Sequence, residues 1–163
     1  QLVGGPFELT DSKGRKITEK DFLGRPLLVF FGFTHCPDVC PTTLFEATTW
    51  LKALGSDADR LQVLFVSVDP ARDTQELLDT YLQAFDSRIR AATGTKAQID
   101  AMVQAYKAIY RFVPTSAGNY TVDHTALIFM MDGRGRFVGT IDYHEKQEVA
   151  LQKLKRLISI ASL

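Results

Sequence analysis

Pro26-Leu27-Leu28-Val29-Phe30-Phe31-Gly32-Phe33-Thr34-His35-Cys36-Pro37-Asp38-Val39-Cys40-Pro41-Thr42 is the stretch that decides the fold. Its first half is a continuous apolar run of β-prone residues with proline at the first position, which reads as a buried central strand. Its second half holds both cysteines of the chain, with three residues between them, followed at once by Pro41. Proline is tolerated in the first turn of a helix and not deeper. A helix therefore begins close to Cys40, and Cys36 lies in the preceding turn. Unpaired N–H groups and the positive end of the helix dipole favour thiolate over thiol there. Spacing of this kind lets both sulfurs lie on one side, where they close a disulfide or clamp one soft metal ion. A disulfide would close a tiny loop and constrain the unfolded chain little, so the pair is better explained by chemistry than by stability.

Outward from this stretch, apolar runs predict further strands at Leu61 to Val68, Arg88 to Ala91, Thr125 to Met131 and Phe137 to Ile141. Asp132-Gly133-Arg134-Gly135 is a hairpin turn signal between the last two. Helical patterns fill the gaps. Thr42 to Leu54 stops at Gly55, and Thr74 to Phe85 follows Asp73, an N-cap candidate with Glu76 three residues on. Lys96 to Tyr110 and Lys146 to Ile160 complete the set. Phe7 to Leu9 and Arg15 to Ile17, around Lys13-Gly14, predict an N-terminal hairpin. Alternating strands and helices imply βαβ crossovers and a layered sheet. The expected fold is α/β: a central mixed sheet flanked by helices, with the cysteine pair where the thioredoxin-like arrangement has its own. Chemistry then belongs at the carboxyl ends of the parallel strands.

With 163 residues and no linker or repeat, the chain is expected to form a single domain, 1–163. No segment approaches the ~20 apolar residues of a membrane helix. The chain opens Gln1-Leu2-Val3 without methionine, which reads as a trimmed or mature fragment and leaves room for a removed N-terminal anchor. The 19 basic residues balance 19 acidic ones, leaving no basic footprint for nucleic acid. Phe30, Phe31 and Phe33 are expected in the core, and Trp50 in the core or half-exposed against it. Met130 and Met131 are adjacent in a strand, so one is expected inside and the other on the opposite face.

Two thiolates favour copper(I), whereas zinc asks for further protein ligands. Three histidines are available as a third donor. His35 adjoins Cys36, and neighbours seldom both face one ion. His144, beyond the last strand, is expected to decorate the final helix. His124 stands before an apolar strand whose leading loop faces the cysteine turn in a thioredoxin-like sheet, and Asp123 beside it is placed to support the imidazole. Asp69-Pro70 and Arg72, on the same edge as the cysteines, are expected to end their strand and cap the next helix, with recognition of a partner as the alternative.

Phe31-Gly32-Phe33-Thr34-His35-Cys36-Pro37-Asp38-Val39-Cys40-Pro41-Thr42 resembles the signature of the Sco/SenC family of copper proteins. Ser67-Val68-Asp69-Pro70-Ala71-Arg72-Asp73-Thr74 resembles that family's second block, and Val122-Asp123-His124-Thr125 its third. The resemblance covers nearly the whole chain in the right order. It implies a thioredoxin-like fold with a loop insertion between Arg111 and Tyr120, and copper, Cu(I) or Cu(II), held by Cys36, Cys40 and His124. It implies a metallochaperone that serves the dinuclear copper centre of cytochrome c oxidase subunit II. A thioredoxin-like thiol reductase and another copper chaperone are the further partners expected. The location implied is the bacterial periplasm, tethered to the inner membrane, or else the mitochondrial intermembrane space.

Two rival readings use the same cysteines. A thiol–disulfide oxidoreductase shares fold and pair, although thioredoxin motifs have two intervening residues where this chain has Pro37, Asp38 and Val39. A peroxidase of the peroxiredoxin kind needs a threonine three residues before the reactive cysteine, where this chain has Pro37.

Overall fold

A computed structural model describes residues 2–35, 39–115, 118–124, 126–142 and 145–161, with backbone alone at 39–41, 122–124 and 161. The elements run in this order. Strands β1 (Glu8–Asp11), β2 (Lys16–Thr18) and β3 (Leu27–Gly32) precede helix α1 (Val39–Leu54). Next come β4 (Gln62–Ser67), α2 (Gln75–Leu82), β5 (Ile89–Thr93) and α3 (Lys96–Ala105). The chain closes with β6 (Tyr110–Pro114), β7 (Tyr120–His124), β8 (Leu127–Met131), β9 (Phe137–Asp142) and α4 (Gln147–Ala161).

Seven strands form one mixed sheet in the order β2-β1-β5-β4-β3-β8-β9. β3, β4 and β5 are parallel, while β1, β8 and β9 join antiparallel. Every residue of β3 and of β4 is buried, so these strands are covered on both faces, as a continuous apolar run requires. On one face Phe30 stacks on Phe65, with centroids 5.7 Å apart, and Phe65 meets Tyr81 of α2. On the other, Phe31 meets Tyr106 and Phe129 edge-on. The expected thioredoxin-like α/β layout, the N-terminal hairpin β1–β2 and a buried Trp50 are all present. Met130 and Met131 are both buried, because β8 too is covered on both faces. Among the described residues no helix is long and apolar enough to cross a membrane.

The largest correction concerns residues 106–124. α3 stops at Ala105, not at Tyr110. It closes through two bonds, Ala108 N–H to the Val103 carbonyl (2.9 Å) and Lys107 N–H to that of Gln104 (3.1 Å). This is the Schellman pattern, and it needs a left-handed residue just past the helix. Lys107 takes that place at φ 58°. Glycine normally fills it, so the sequence carried no stop signal there. The chain reverses, and the insertion expected between Arg111 and Tyr120 takes the form of a hairpin, β6 with β7. These two strands pair with each other and form a separate two-stranded sheet.

A second correction concerns the start of α2. Its N-cap is Thr74, whose side chain accepts from Leu77 N–H (3.2 Å). Asp73, the expected cap, is turned inward and fully buried.

Candidate metal centre

Cys36 lies outside the described residues, as does His144. Cys40 is the second residue of α1, and Pro41 follows it in the first turn, where a missing N–H removes no helical bond. Asp123 and His124 close β7, where His124 is the register partner of Tyr110 and Asp123 that of Arg111. Nothing further is described for the side chains of Cys40, Asp123 and His124.

Backbone topology brings the two segments to one edge of the sheet. Phe30 of β3 faces Ile128 of the antiparallel β8. Moving forward along β3 toward Thr34 is therefore moving backward along β8 toward residue 124. Gly32 also lies beside Ser67, so the β4–α2 loop opens at the same edge. That loop supplies two carboxylates, Asp69 and Asp73, both with no exposed surface.

Asp73 anchors the cysteine segment. Its Oδ2 accepts Thr34 N–H (3.0 Å) and the Ser67 hydroxyl (2.5 Å), and its Oδ1 accepts the Thr34 hydroxyl (2.5 Å). Asp73 N–H donates to the Asp69 carbonyl (2.9 Å), which ties the two acidic residues into one turn. His35 is exposed, with Nδ1 3.9 Å from Asp73 Oδ1, in keeping with a loop histidine.

Asp69 anchors the hairpin. It receives Arg72 Nε on Oδ2 (2.5 Å) and the Tyr120 hydroxyl on Oδ1 (3.0 Å). Arg72 Cζ lies 3.8 Å from the Tyr120 ring centroid, and Nη1 donates to the Tyr120 carbonyl (3.0 Å). Burial, then the bond to Asp69, raises the Tyr120 phenol pKa. Asp69 and Arg72, expected to end the strand and cap the helix or else to meet a partner, instead hold the hairpin, and Thr34, Ser67 and Tyr120, with no expected role, join them. The available signal was two aspartates flanking an arginine at the end of a buried strand, where carboxylates need partners.

The far end of the hairpin is moored to α3. The Tyr110 hydroxyl donates to Asp100, which also receives Lys96 Nζ (2.7 Å). Burial, then the Asp100 bond, pushes the Tyr110 pKa up to about 12 from 10.0. Folding thus holds this proton more tightly than the unfolded chain does. The resulting stabilisation is complete below about pH 10 and is lost as the pH climbs toward about 12. Tyr110→Phe is expected to show a shallower alkaline loss of stability than wild type over that window, read from urea midpoints. Identical slopes would remove Tyr110 as the source.

Among the described residues no three His, Cys, Asp or Glu side chains cluster as a metal site. The donors expected from the sequence, Cys36, Cys40 and His124, would offer two thiols and one imidazole. That set fits a soft or borderline ion with few ligands.

A family model described as SCO1/SenC matches residues 1–159. "Protein SCO2, mitochondrial" of Saccharomyces cerevisiae is 36% identical over 160 residues, covering 96% of this chain and 53% of that protein. The solved structure of Bradyrhizobium japonicum ScoI with copper bound is 47% identical, with TM-score 0.88, covering 95% of this chain and 99% of that one. Yeast Sco1 with copper bound is 33% identical, with TM-score 0.89, covering 98% and 90%. The chain spans about half the length of the curated relatives it matches. A match running through all three sequence blocks and nearly the whole fold means that the chain belongs to the SCO1/SenC family.

Proposed function

We propose that this chain is a copper metallochaperone, with Cys36, Cys40 and His124 as ligands and Asp123 supporting the imidazole. The observation that carries the reading is the 47% identity, across 95% of the chain, to a relative solved with copper bound. The donor set supports it chemically. Two thiolates suit copper(I), and an imidazole nitrogen helps accommodate copper(II). Copper is cargo here. Three protein ligands leave room for a partner's ligand to enter, so the ion passes by ligand exchange without release to water. The client on this reading is cytochrome c oxidase subunit II, whose dinuclear copper centre the chain helps to assemble. The setting is the bacterial periplasm at the inner membrane, or alternatively the mitochondrial intermembrane space.

Oxidation of Cys36 and Cys40 to a disulfide removes both sulfur ligands, which makes loading redox-gated. A thioredoxin-like reductase then restores the dithiol, and on this reading another copper chaperone supplies the ion.

The test is anaerobic titration of the dithiol and disulfide forms with copper, followed by mixing with the apo copper domain of subunit II. One ion per dithiol protein, none per disulfide protein, and appearance of the dinuclear centre in the client support the reading. A second reading rests on the position of Cys40 in the first helical turn of a thioredoxin-like fold. In it, the dithiol reduces a partner's disulfide and itself becomes the disulfide. Turnover of partner disulfides without any stable copper complex would put that reading first.

A further inference from the structure

The hairpin that ends on His124 takes no place in the main sheet, so something else must fix where it sits. Among the described residues its turn end is gripped chiefly at Tyr120, in three ways. The ring lies under the Arg72 guanidinium (3.8 Å), the hydroxyl donates to Asp69 (3.0 Å), and the carbonyl accepts Arg72 Nη1 (3.0 Å). Arg72 also reaches Asn119 Oδ1 (3.4 Å), and that same oxygen accepts Tyr120 N–H (2.9 Å). The guanidinium is itself held by Asp69 (2.5 Å), inside a turn closed by Arg72 N–H and Asp73 N–H to the Asp69 carbonyl. The other carboxylate of that turn, Asp73, holds Thr34, two residues before Cys36. The two segments that carry the proposed ligands are thus moored to one short loop, residues 69–73.

We infer that Arg72 and Tyr120 form a positioning clasp that holds the His124 strand in place relative to the cysteine loop, and so sets the preference of the site for copper(II) against copper(I). The inference rests on the copper reading above. Copper(I) is well served by two thiolates, whereas copper(II) draws on the imidazole nitrogen. A hairpin freed at its turn end must be ordered again each time the imidazole binds, so loosening it weakens copper(II) first. Groups that orient a ligand without touching the metal contribute about 10–100-fold in metal affinity. Arginine matters here for its planar fork and its stacking, neither of which lysine reproduces.

The test measures copper(II) and copper(I) affinities, the copper(II) spin-resonance spectrum and the reduction potential of the loaded protein. The variants are Arg72→Met, Arg72→Lys, Tyr120→Phe and Tyr120→Leu, with His124→Ala alongside. Arg72→Met and Tyr120→Leu are expected to lose about tenfold or more in copper(II) affinity, with copper(I) far less affected. The potential then rises by about 59 mV for each tenfold loss of copper(II) affinity relative to copper(I). Nitrogen coupling in the copper(II) spectrum weakens in parallel. Tyr120→Phe keeps the ring under the guanidinium and falls between, while Arg72→Lys behaves like Arg72→Met. Removing Arg72 leaves Asp69 buried without its cation, so the pair Arg72→Met with Asp69→Asn serves if the single variant does not fold. If His124→Ala leaves copper(II) binding unchanged, the ligand assignment fails first. If His124→Ala weakens copper(II) while the clasp variants bind both ions as wild type does, the clasp is overturned. Equal losses for both ions would also overturn it, since they reduce Arg72 and Tyr120 to structural support.

Discussion

Serine at position 36 or 40 is expected to abolish the intense thiolate-to-copper charge-transfer absorption that wild type develops when the dithiol form takes up copper(II). Serine keeps the size and loses the soft, readily ionised donor. A hydroxyl does not deprotonate in this pH range, whereas a thiol near a helix N-terminus does. Losing a group that merely hydrogen-bonds a ligand costs about 10–100-fold in metal affinity. Losing a ligand itself goes beyond that, for copper(I) as for copper(II), because on the proposed ligand set both ions use both sulfurs. His124→Ala differs in kind, since it removes the donor that copper(II) needs most and leaves the copper(I) pair intact. Titration of reduced protein under nitrogen, followed by absorption and spin resonance, reads all three variants. Bands of wild-type intensity in either serine variant would take that sulfur off the metal. The backbone is compatible with the assignment, because Cys40 sits in the first turn of α1, where its flanking Pro41 is tolerated.

Those cysteines, and the strand before them, were legible because their signals are local. A run such as Leu27–Gly32 has one physical solution, a strand covered on both faces, and the proline after Cys40 fixes where the helix begins. The segment after α3 was not legible. Just past its helix Lys107 takes the left-handed region, where glycine would have announced the turn. β6 contains a proline and β7 follows a Gly-Asn pair, so composition alone read as loop. The hairpin forms because its aromatic residues find partners. Phe112 packs edge-on with both Tyr110 and Tyr120, and those two tyrosines reach Asp100 and Asp69. Such partners lie far apart in sequence, as Tyr120 and Asp69 do, and no periodicity marks them.

The inward turn of Asp73 was hidden for a related reason. An aspartate just before a helix reads as a cap, and Thr74 next to it can cap equally well. The choice was made by what lies opposite: the free N–H and hydroxyl of Thr34 and the hydroxyl of Ser67, all at the end of buried strands. The edge of a sheet that carries chemistry has loops in place of ladder bonds, so its backbone donors need side-chain acceptors. A carboxylate answers several at once. A short-range motif search for metal ligands passes over such residues, because their work is to hold the ligand-bearing chain.

Asp73→Ala is accordingly expected to destabilise the metal-free dithiol protein by about 2–4 kcal/mol, the cost of orphaning several donors at about 1–3 kcal/mol each, less the relief of no longer burying a carboxylate. Three donors lose their acceptor together: Thr34 N–H, the Thr34 hydroxyl and the Ser67 hydroxyl. A buried orphan such as the Ser67 hydroxyl costs about 1–3 kcal/mol, and the half-buried Thr34 groups cost less because water can reach them. Relief from burying a carboxylate with no exposed surface offsets part of that sum. Asp73→Asn is expected to be far milder, about 1 kcal/mol, the net worth of an ordinary hydrogen bond. The amide oxygen can take the Oδ2 place and keep Thr34 N–H and the Ser67 hydroxyl. The amide nitrogen then takes the Oδ1 place and donates to the Thr34 hydroxyl, which rotates to accept. Urea unfolding of both variants beside wild type separates the two contributions. Equal losses for Ala and Asn would mean that the negative charge, and not the hydrogen-bond geometry, holds the loop. A loss below about 1 kcal/mol for Ala, within the range of an ordinary single bond, would mean that Asp73 does not anchor it. Because Thr34 stands two residues before Cys36, the Ala variant is also expected to react faster at Cys36 with a thiol-specific reagent, while Asn stays near wild type.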